Sequence, residues 1–405
     1  MSKNTFFTGQ PIFNQLLCLI PRYLIRRSVQ ETNSDKYYKK FKSYEHLVTM
    51  LYTCLHKCTS LREVTTGMMA YQHKLTHLGM SYSPRRSTLA EANNNRSCDF
   101  FSSLYFRLYH NYYHFSPDSR LRGSIENRLF LIDSTTISLF SEIMKGAGCK
   151  GLNGKKKGGA KAHIVVKANE DVPLFAMITH ASKNDRDIFN EIKLPKGAIV
   201  VFDKGYNSYK QFEKWNDESV TWITRMREDS SQEYLKSFPL NQHEIEEGIL
   251  SDDSIILGRI SNRKTKKIKV RRILYYDKEK NRTFKFITNN SKYKASVIAS
   301  IYKKRWQIEL LFKRLKQTYP LRYFLGESEN AIKTQIWCAL ISDLLLKIIK
   351  DKVRKNWSYA NLSGMIRLHL MNYFDLLSFL KNPEKTLLDY KESKIDLQLK
   401  LFNST

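Results

Sequence analysis

The segment from Tyr302 to Lys316 carries side chains whose types and spacing suit phosphate chemistry. Its pattern is Tyr302, Arg305, Glu309 and Lys316, spaced Tyr-x2-Arg-x3-Glu-x6-Lys. Steps of three, four and seven residues fall on one face of an α-helix. That face would combine a carboxylate, which can hold a metal ion, with two cations and a phenol, which can hold a phosphate backbone. An enzyme that cuts nucleic acid needs this combination.

Two aspartates each come at the end of an apolar run that predicts a buried strand. Asp133 follows Leu-Phe-Leu-Ile, and Asp203 follows Ile-Val-Val-Phe. Neighbouring parallel strands would bring the two carboxylates together at one end of the sheet. A buried carboxylate is costly without a partner, so such a pair suggests a shared cation. Glu309, projecting from a helix packed across the sheet, would complete a cluster of three.

The three carboxylates predict a site for hard divalent cations. Oxygen ligands select Mg²⁺, and we expect Mn²⁺ to substitute for it. Two such ions roughly 3.5–4 Å apart can activate an attacking oxygen and stabilise a leaving one at phosphorus. An aspartate at a strand end is, taken alone, often only a cap or turn former. The order strand, strand, helix, together with the Tyr/Arg/Lys face, favours Asp133, Asp203 and Glu309 as catalytic metal ligands.

The charge of the chain favours a polyanionic partner. Its 405 residues include 68 Lys+Arg against 39 Asp+Glu, which gives a formal net charge of +29. Solubility alone needs a net charge of only about 2–8 in a small domain. Nucleic acid, and double-stranded DNA in particular, is therefore the expected partner.

No segment predicts export or membrane insertion. The apolar stretch at 11–25 is broken by Asn14, Pro21 and Arg22 and lacks a small-residue cleavage site. The stretch Ala331–Ile349 is interrupted by charged and polar residues, so it falls short of the about 20 apolar residues of a span and predicts a buried helix. The six cysteines form no dense framework, which fits a reducing compartment. We expect a cytoplasmic, nucleoid-associated protein without a membrane partner.

Residues 1–125 predict an all-helical domain. Leu47, Leu51 and Leu55 recur at helical spacing, and aromatic residues alternate with basic ones from Arg22 to Lys42. This composition suggests DNA binding, and a dimerisation or scaffold role is the alternative.

One cysteine pattern in this domain imitates a zinc finger with two Cys and two His ligands. Its members are Cys54, Cys58, His73 and His77. Two strands joined by a tight turn should carry such cysteines, whereas the residues around Cys54 predict a helix. We therefore expect this segment to be metal-free, with its side chains used in packing.

Residues 126–227 predict an α/β core. Strands are expected to begin at Leu129, Ala162, Pro173, Ala198 and Val220, with a short helix before the fourth and another before the fifth. The ribonuclease-H-like fold has this order, in which three antiparallel strands join two parallel ones. The first part of a ribonuclease-H-like core is therefore assigned to this segment.

Residues 228–292 predict an inserted β subdomain. Near its centre, Ile268 and Val270 alternate with Lys267, Lys269 and Arg271. A half-buried sheet with such a cationic face suits a duplex backbone. The alternative is a solvated edge whose lysines prevent aggregation.

Residues 293–351 are expected to complete the core. One continuous helix from Lys294 to Gln317 would carry Glu309 and end before Pro320. The buried helix from Ala331 follows. Residues 352–405 predict a C-terminal helical tail to which no chemistry is assigned.

These motifs resemble those of insertion-sequence DDE transposases, specifically the insertion-sequence-four family. The residues that carry the resemblance are Leu131-Ile-Asp133-Ser-Thr-Thr, Asp203-Lys-Gly-Tyr206, Trp222-Ile-Thr-Arg225-Met and the signature from Tyr302 to Lys316. Matching motifs extend from about residue 129 to 317. The N-terminal block resembles the accessory helical domain found at the front of some of these transposases.

The resemblance implies an enzyme that moves DNA by cutting and pasting. It implies a ribonuclease-H-like core with a β insertion, Mg²⁺ dependence, and Asp133, Asp203 and Glu309 as the acidic triad. It further implies that Tyr302, Arg305 and Lys316 contact the backbone of the transposon end. A homodimer that joins the terminal inverted repeats is expected from the family, with target DNA as the second partner. Some relatives use a hairpin and a flipped base, but no tryptophan of the insertion clearly matches a base-stacking position.

Further basic residues are candidates for DNA contact. Lys204 and Arg225 follow or flank the predicted strand ends, where they would touch phosphate or pair with nearby acids. Lys313 lies one turn beyond Glu309 and is expected to contact DNA. The glycine-rich segment Gly154–Gly159 lacks the full phosphate-loop pattern, so no nucleotide cofactor is expected.

The expected function is cleavage of transposon ends and their joining to target DNA. A ribonuclease-H-like nuclease without strand transfer would have the same metal site, and only a joining assay separates the two. A non-catalytic DNA-binding protein derived from a transposase is the other alternative, and the intact triad of carboxylates argues against it.

Overall fold

The structure is a computed structural model, and it describes residues 9–113, 125–138, 149–150, 156–157, 159–258 and 267–388. Its helices are α1 (Ile12–Leu17), α2 (Arg22–Thr32), α3 (Ser43–His56), α4 (Leu61–Ala70), α5 (Arg86–Asn95), α6 (Asp99–Tyr112), α7 (Tyr209–Asp217), α8 (Gln242–Glu246), α9 (Ala295–Lys303), α10 (Trp306–Thr318), α11 (Glu329–Val353), α12 (Tyr359–His369) and α13 (Leu376–Lys381). Its strands are β1 (Leu129–Ser138), β2 (Cys149–Lys150), β3 (Lys156–Lys157), β4 (Gly159–Lys167), β5 (Pro173–His180), β6 (Ile199–Phe202), β7 (Thr221–Arg225), β8 (Gln232–Ser237), β9 (Ile249–Leu257), β10 (Ile268–Asp277) and β11 (Arg282–Thr288).

The chain folds into two compact units. The helical unit comprises Met1–Phe115, Leu139–Ile143 and Arg314–Thr405, and the sheet unit comprises Ser116–Ser138 and Met144–Lys313. The N-terminal helices thus share a unit with α11, α12 and α13. The domain boundaries given above stay a prediction.

In the helical unit, α11 is the central element. It begins where Ser328 accepts a hydrogen bond from the Ala331 backbone N–H, 3.1 Å away, and it packs against α3, α5 and α6. Its Asp343 is 1% exposed and pairs with Arg314 at 2.7 Å. The prediction of a buried helix from Ala331 is confirmed. None of the helices in the described part of the chain is long and apolar enough to cross a membrane.

The sheet unit contains a mixed sheet in the order β5-β4-β1-β6-β7-β11-β10-β9-β8. The strands β5, β4 and β1 are antiparallel, and β1, β6 and β7 are parallel. The predicted ribonuclease-H-like core is confirmed, because three antiparallel strands continue into two parallel ones. The insertion does not form a separate sheet, since β11 pairs with β7 and so extends the core sheet. The edge strand β8 and helix α8 were not predicted.

Side chains of alternating strand positions form a core on one face of the sheet. Ile132, Phe202 and Trp222 belong to this core, and the Phe212 ring of α7 stacks on Trp222 at 4.1 Å. Because successive side chains of a strand point to opposite faces, Leu131, Val201 and Ile223 face the other side. Helix α9 covers that second face, where Tyr302 lies 4.6 Å from the Phe286 ring.

Two predicted elements differ from the observed ones. The helix expected from Lys294 to Gln317 is two helices, α9 and α10, interrupted at Lys304 and Arg305. The backbone tightens there, because Arg305 N–H bonds to Tyr302 O at 3.0 Å and Ile308 N–H to Arg305 O at 3.1 Å, three residues back in each case. Strand β1 also continues past Asp133 to Ser138, because β4 extends its antiparallel pairing there.

Candidate active site

Asp133 and Asp203 occupy equivalent positions on neighbouring strands. The parallel pairing of β1 with β6 ends at Ile132 and Phe202, and each aspartate is the next residue. Asp203 follows β6 and caps a 3₁₀ turn, Lys204–Tyr206, by accepting the Gly205 N–H. Side-chain alternation places both carboxylates on the face that α9 covers, opposite the core of Ile132 and Phe202. The pairing predicted from the two apolar runs is therefore present in the fold.

Arg305 joins the third carboxylate to the first. It lies in the break between α9 and α10, and its Nη1 donates to Asp133 Oδ2 at 2.7 Å. Its Nη2 contacts Glu309 Oε1 one helical turn later. Asp133 and Glu309 therefore lie within hydrogen-bonding distance of the same guanidinium.

Arg225 holds Asp203 in the same way. Thr224 of β7 pairs with Phe202, so Arg225 and Asp203 are adjacent in the register. The Arg225 Nη2 contacts Asp203 Oδ1. Within the described residues, the Nε of Arg225 and that of Arg305 are buried and have no hydrogen-bond partner. Each guanidinium is thus committed to carboxylates through its terminal nitrogens alone.

The carboxylates differ in their electrostatic environment. Burial raises the pKa of Asp133 to about 6, and the charges of Asp203 and Glu309 raise it further while Arg305 opposes the change. Burial also acts to raise the pKa of Asp203, but the hydrogen bond and charge of Arg225 outweigh it and the pKa is lowered. A buried carboxyl beside two others is a typical catalytic arrangement.

The carboxylates and arginines of this site lie in a segment with known relatives. Residues 125–344 match the family described as the transposase DDE domain, and residues 8–81 match a domain of unknown function, DUF4372. The chain belongs to the DDE transposase family. The prediction of an insertion-sequence DDE transposase with an N-terminal domain is confirmed.

Individual relatives agree with this membership. The DDE transposase chain is 32% identical over 267 residues to a putative transposase of Sinorhizobium fredii. The alignment covers 66% of this chain and 72% of that protein. It is 27% identical over 276 residues to a putative transposase for the insertion sequence element IS4SA of Synechocystis, covering 65% and 71%. A probable transposase for the element IS5377 of Geobacillus stearothermophilus is 23% identical over 228 residues, covering 56% of this chain and 58% of that one.

A solved structure of the piggyBac transposase synaptic complex with hairpin DNA also aligns with this DDE transposase. The TM-score is 0.43 at 10% sequence identity, and the alignment covers 96% of this chain and 87% of that chain.

The candidate metal ligands of this transposase are the carboxylates of Asp133, Asp203 and Glu309. Among the described residues, no three His, Cys, Asp or Glu side chains are arranged to hold one ion. Arg305 and Arg225 engage the carboxylates of Asp133 and Asp203 instead. The chemistry of the set nevertheless suits a hard divalent cation, since all donors are carboxylate oxygens. Burial is the main cause of the raised pKa of Asp133, and the neighbouring charges of Asp203 and Glu309 add to it.

A fourth acid, Asp185, lies beside the transposase cluster. Its Oδ1 accepts hydrogen bonds from Ser134 Oγ at 3.0 Å and Lys161 Nζ at 3.1 Å. A methyl group at Gly205 would lie 3.8 Å from Asp185 and 3.9 Å from Asp203, so these two acids flank that glycine. In the sequence, Asp185 adds an acid near the site, but a helix start explains it adequately.

The predicted DNA contacts fall into two groups. Acidic partners engage Arg225, Lys204 (Glu228, 3.5 Å), Lys267 (Glu233, 3.3 Å) and Arg271 (Asp252, 2.6 Å). Arg271 is the most firmly held, because it also donates to the Tyr293 carbonyl at 2.6 Å. Of the predicted cationic face of Lys267, Lys269 and Arg271, the two lysines are exposed and Arg271 is held by Asp252.

The remaining predicted contacts are Lys269, Lys313, Tyr302 and Lys316. Lys269 and Lys313 are exposed. Tyr302 is 7% exposed, and burial raises the pKa of its hydroxyl to about 12. Lys316 belongs to the helical unit, at the last turn of α10, and burial lowers its pKa.

A pocket of about 310 Å³ adjoins the arginines of the cluster. Aromatic and basic side chains line it, among them Arg225, Tyr302, Arg305, Trp306, Lys280 and Arg282. The Lys280 ammonium lies 4.9 Å from the Trp306 ring. Sequence reasoning missed Lys280 and Arg282, although the two basic and then two aromatic residues at every second position from Lys280 to Phe286 were a usable signal.

Proposed function

We propose that this chain cuts the ends of an insertion sequence and joins them to target DNA, as a Mg²⁺-dependent transposase of the insertion-sequence-four type. One observation carries the proposal. Asp133 and Asp203 directly follow Ile132 and Phe202, which pair with each other on neighbouring parallel strands, and Arg305 links Asp133 to Glu309. This arrangement supports a site in which three carboxylates from distant segments act together.

The reaction consists of two displacements at phosphorus. Water attacks the phosphodiester at each end of the element, the bond from phosphorus to the element's 3′ oxygen breaks, and a 3′-hydroxyl is released. That hydroxyl then attacks a target phosphodiester and displaces its 3′ oxygen. Divalent cations held by Asp133, Asp203 and Glu309 would supply activation of the attacking oxygen and stabilisation of the leaving one.

The side chains of the protein then have positioning roles. Asp133, Asp203 and Glu309 present hard oxygen donors, while Arg305 and Arg225 neutralise them before the cations bind. Released from the carboxylates, the two guanidinium groups are placed to bind phosphate oxygens, for which their planar donors are well suited. Tyr302, Lys204, Lys269, Lys313 and Lys316 would contact the DNA backbone. The partners are the terminal inverted repeats and target DNA, synapsed by a homodimer in association with the nucleoid.

A supercoiled plasmid that carries the gene with its native flanks provides the test. With Mg²⁺ or Mn²⁺, the purified protein is expected to nick at both element ends and to join the freed ends to a second plasmid. Asp133→Asn, Asp203→Asn and Glu309→Gln should each abolish cleavage and leave binding to end DNA largely intact.

A matched control keeps this test specific. Asp217→Asn removes a carboxylate from the last turn of α7 and should cut like the unmodified protein. Normal cleavage by any triad variant would refute the assignment. Cleavage without any joined product would instead identify a nuclease that lacks strand transfer.

A further inference from the structure

A group of polar side chains lies behind the proposed metal site, in the core of the sheet unit. Ser134 follows Asp133 on β1, so its side chain points to the opposite face of the sheet. There it donates to Asp185, at the start of a 3₁₀ turn whose Ile188 and Phe189 belong to the core. Polar groups are costly in such a core unless they are bonded, so each of them needs a partner.

One oxygen of Asp185 is anchored in this group. Its Oδ1 accepts from Ser134 Oγ at 3.0 Å and from Lys161 Nζ at 3.1 Å. The Nδ1 of the fully buried His163 lies 3.6 Å from the same oxygen. Within the described residues, every hydrogen bond and ion pair of Asp185 falls on Oδ1. The carboxylate is therefore fixed in orientation, and Oδ2 is left for another partner.

The second oxygen of Asp185 faces a space that it shares with Asp203. A methyl group added at Gly205 would lie 3.8 Å from Asp185 Oδ2 and 3.9 Å from Asp203 Oδ2. The two acidic side chains are 27% and 29% exposed, so water reaches both of them. Two carboxylates that face one space repel each other unless a cation or its water molecules lie between them. The glycine keeps that space open.

Tyr206 directs a buried hydroxyl at the same acids. The residue is 2% exposed, and within the described part of the chain its hydroxyl makes no hydrogen bond. Burial raises the pKa of this hydroxyl, and interaction with the Ser134 side chain opposes the change. The charges of Asp185, Asp133 and Asp203 also raise it, so the hydroxyl lies close to all three. Because buried hydroxyls nearly always have a partner, we expect a ligand of the site to supply it.

We propose that Asp185 is a fourth acid of the metal site, which accepts hydrogen bonds from the water molecules of a divalent cation bound at Asp203, and that Tyr206 bonds to the same water. Mg²⁺ keeps several of its water molecules when it binds to proteins. Groups that hold the ligands of a metal ion commonly affect its affinity strongly. The inference rests on the proposed function for the presence of the cation, and it adds two positioning residues that do not touch the ion.

Calorimetric titration with Mn²⁺ alone, on the whole chain free of DNA, tests the role of Asp185. Asp185→Asn keeps the size of the side chain and its ability to bond Ser134, but it removes the negative charge of Oδ2. We expect Mn²⁺ binding to weaken about 10- to 100-fold. The control is Asp217→Asn, at an exposed acid in the last turn of α7, which should bind Mn²⁺ like the unmodified protein. Unchanged affinity in Asp185→Asn would overturn the proposal.

Gly205→Ala tests the shared space without altering any polar group. The added methyl lies at ordinary contact distances, and Gly205 does not have a positive φ, so the variant should fold normally. By occupying the space of the ion-bound water, it should weaken Mn²⁺ binding at least 10-fold. Gly364→Ala, on α12 with no atom within 4 Å of the added methyl, is the control. Equal Mn²⁺ affinity in Gly205→Ala and the unmodified protein would refute the bridging water.

Tyr206→Phe removes only the hydroxyl. It should weaken Mn²⁺ binding roughly 3- to 10-fold, the effect of one hydrogen bond. The midpoint of thermal unfolding, followed by circular dichroism, should not fall, because the hydroxyl has no partner in the protein alone. A lower midpoint with unchanged Mn²⁺ affinity would mean that the hydroxyl serves the fold, and it would overturn this part of the proposal.

A purely structural role of Asp185 predicts a different result in the plasmid cleavage assay. Loss of a brace behind Ser134 would disturb Asp133 at every metal concentration and lower the maximal rate. Loss of an acceptor for ion-bound water should instead raise the Mn²⁺ concentration for half-maximal cleavage at least 10-fold, with the rate at saturating Mn²⁺ nearly restored. A low maximal rate at an unchanged half-saturating concentration would overturn the proposal.

Asp203→Asn in the same titration separates this inference from the proposed function. If Asp203→Asn loses Mn²⁺ binding and Asp185→Asn does not, the fourth acid is rejected and the triad stands. If Asp203→Asn binds Mn²⁺ like the unmodified protein, the triad is wrong and the fourth acid is rejected with it. Weaker Mn²⁺ binding by Asp185→Asn, in a protein that never cuts its own flanks, would support the fourth acid and reject the transposase function.

Discussion

The Arg305 Nη1 lies 2.7 Å from Asp133 Oδ2, although the two residues are 172 positions apart in the chain. The same guanidinium contacts Glu309, so a single cation holds two of the three proposed catalytic carboxylates together. Burial acts to lower the pKa of Arg305. The neighbouring Tyr302, Asp133 and Glu309 outweigh burial and raise that pKa. Arg305 therefore stays charged and competes with any other cation for this cluster.

Arg305→Gln is expected to separate metal binding from catalysis. Without the competing guanidinium, the protein free of DNA should bind Mn²⁺ more tightly, as measured by isothermal titration calorimetry. Strand cleavage should nevertheless fall on the order of 100-fold, because the phosphate loses an oriented donor. Lys304→Gln is the control, since Lys304 pairs with Glu126, and both of its readouts should be unchanged. Weaker Mn²⁺ binding by Arg305→Gln would contradict the competition.

The pocket beside the cluster should affect DNA binding more than turnover. Arg282 lines it together with Lys280 and Trp306, so Arg282→Gln removes a cation that would face the backbone of the cut strand. We expect the KM for plasmid DNA to rise about 10-fold with kcat nearly unchanged, since loss of uniform binding has this signature. Lys278→Gln is the control and should leave both constants unchanged, because the Lys278 ammonium bonds to the Glu246 carbonyl instead. A fall in kcat at constant KM would place Arg282 in the chemical step.

The sequence predicted the elements of the core more completely than their ends. An apolar run located β6 within one residue, because all four of its residues are buried. Alternation located the edge strand β5 at Pro173–His180. The break at Arg305 left no such signal, since neither proline nor glycine marks it. At this break the Arg305 guanidinium reaches Asp133, on a strand that periodicity cannot relate to α10.

The site was likewise predictable in part. Residue types and spacing indicated Asp133, Asp203 and Glu309, and their roles stay a prediction. What spacing could not reveal is that Arg271, expected on a cationic face, is 2.6 Å from Asp252 of the neighbouring strand. Strand pairing decides which charges are neutralised, and it depends on registers that a single sequence does not display.

The ion pair of Arg314 with Asp343 should contribute strongly to the stability of the helical unit. The side chains are 9% and 1% exposed and approach to 2.7 Å. Asp343→Ala would remove the carboxylate that pairs with a buried guanidinium, at a cost of about 3–5 kcal/mol in the free energy of unfolding. Urea unfolding followed by circular dichroism measures this cost. The double variant Arg314→Met/Asp343→Leu should recover most of it, and equal losses in the single and double variants would show that packing, not charge, is responsible.

His46 should make the helical unit sensitive to acid. It is fully buried, its Nε2 lies 2.7 Å from Asn93 Oδ1, and burial, assisted by the charge of Arg96, lowers its pKa to about 3. The unfolded chain takes up a proton on this histidine below about pH 6.5, whereas the folded chain does not. The unfolded state therefore binds more protons, and stability falls as the pH drops from about 6.5 towards 3.

The variant His46→Gln keeps a donor for Asn93 but cannot titrate. Between about pH 7.5 and pH 5, the unmodified protein should lose roughly 2 kcal/mol more unfolding free energy than the variant, because each pH unit below the unfolded pKa is worth about 1.4 kcal/mol. Urea unfolding of both proteins at each pH measures the difference. The contributions of the other titrating groups are the same in both proteins and cancel. His369→Gln, at a half-buried histidine of α12 whose pKa burial also lowers, is the comparison and should show a smaller effect. Parallel pH profiles for the unmodified protein and His46→Gln would mean that His46 is protonated in the folded state. They would refute the assignment of His46 as a buried neutral imidazole.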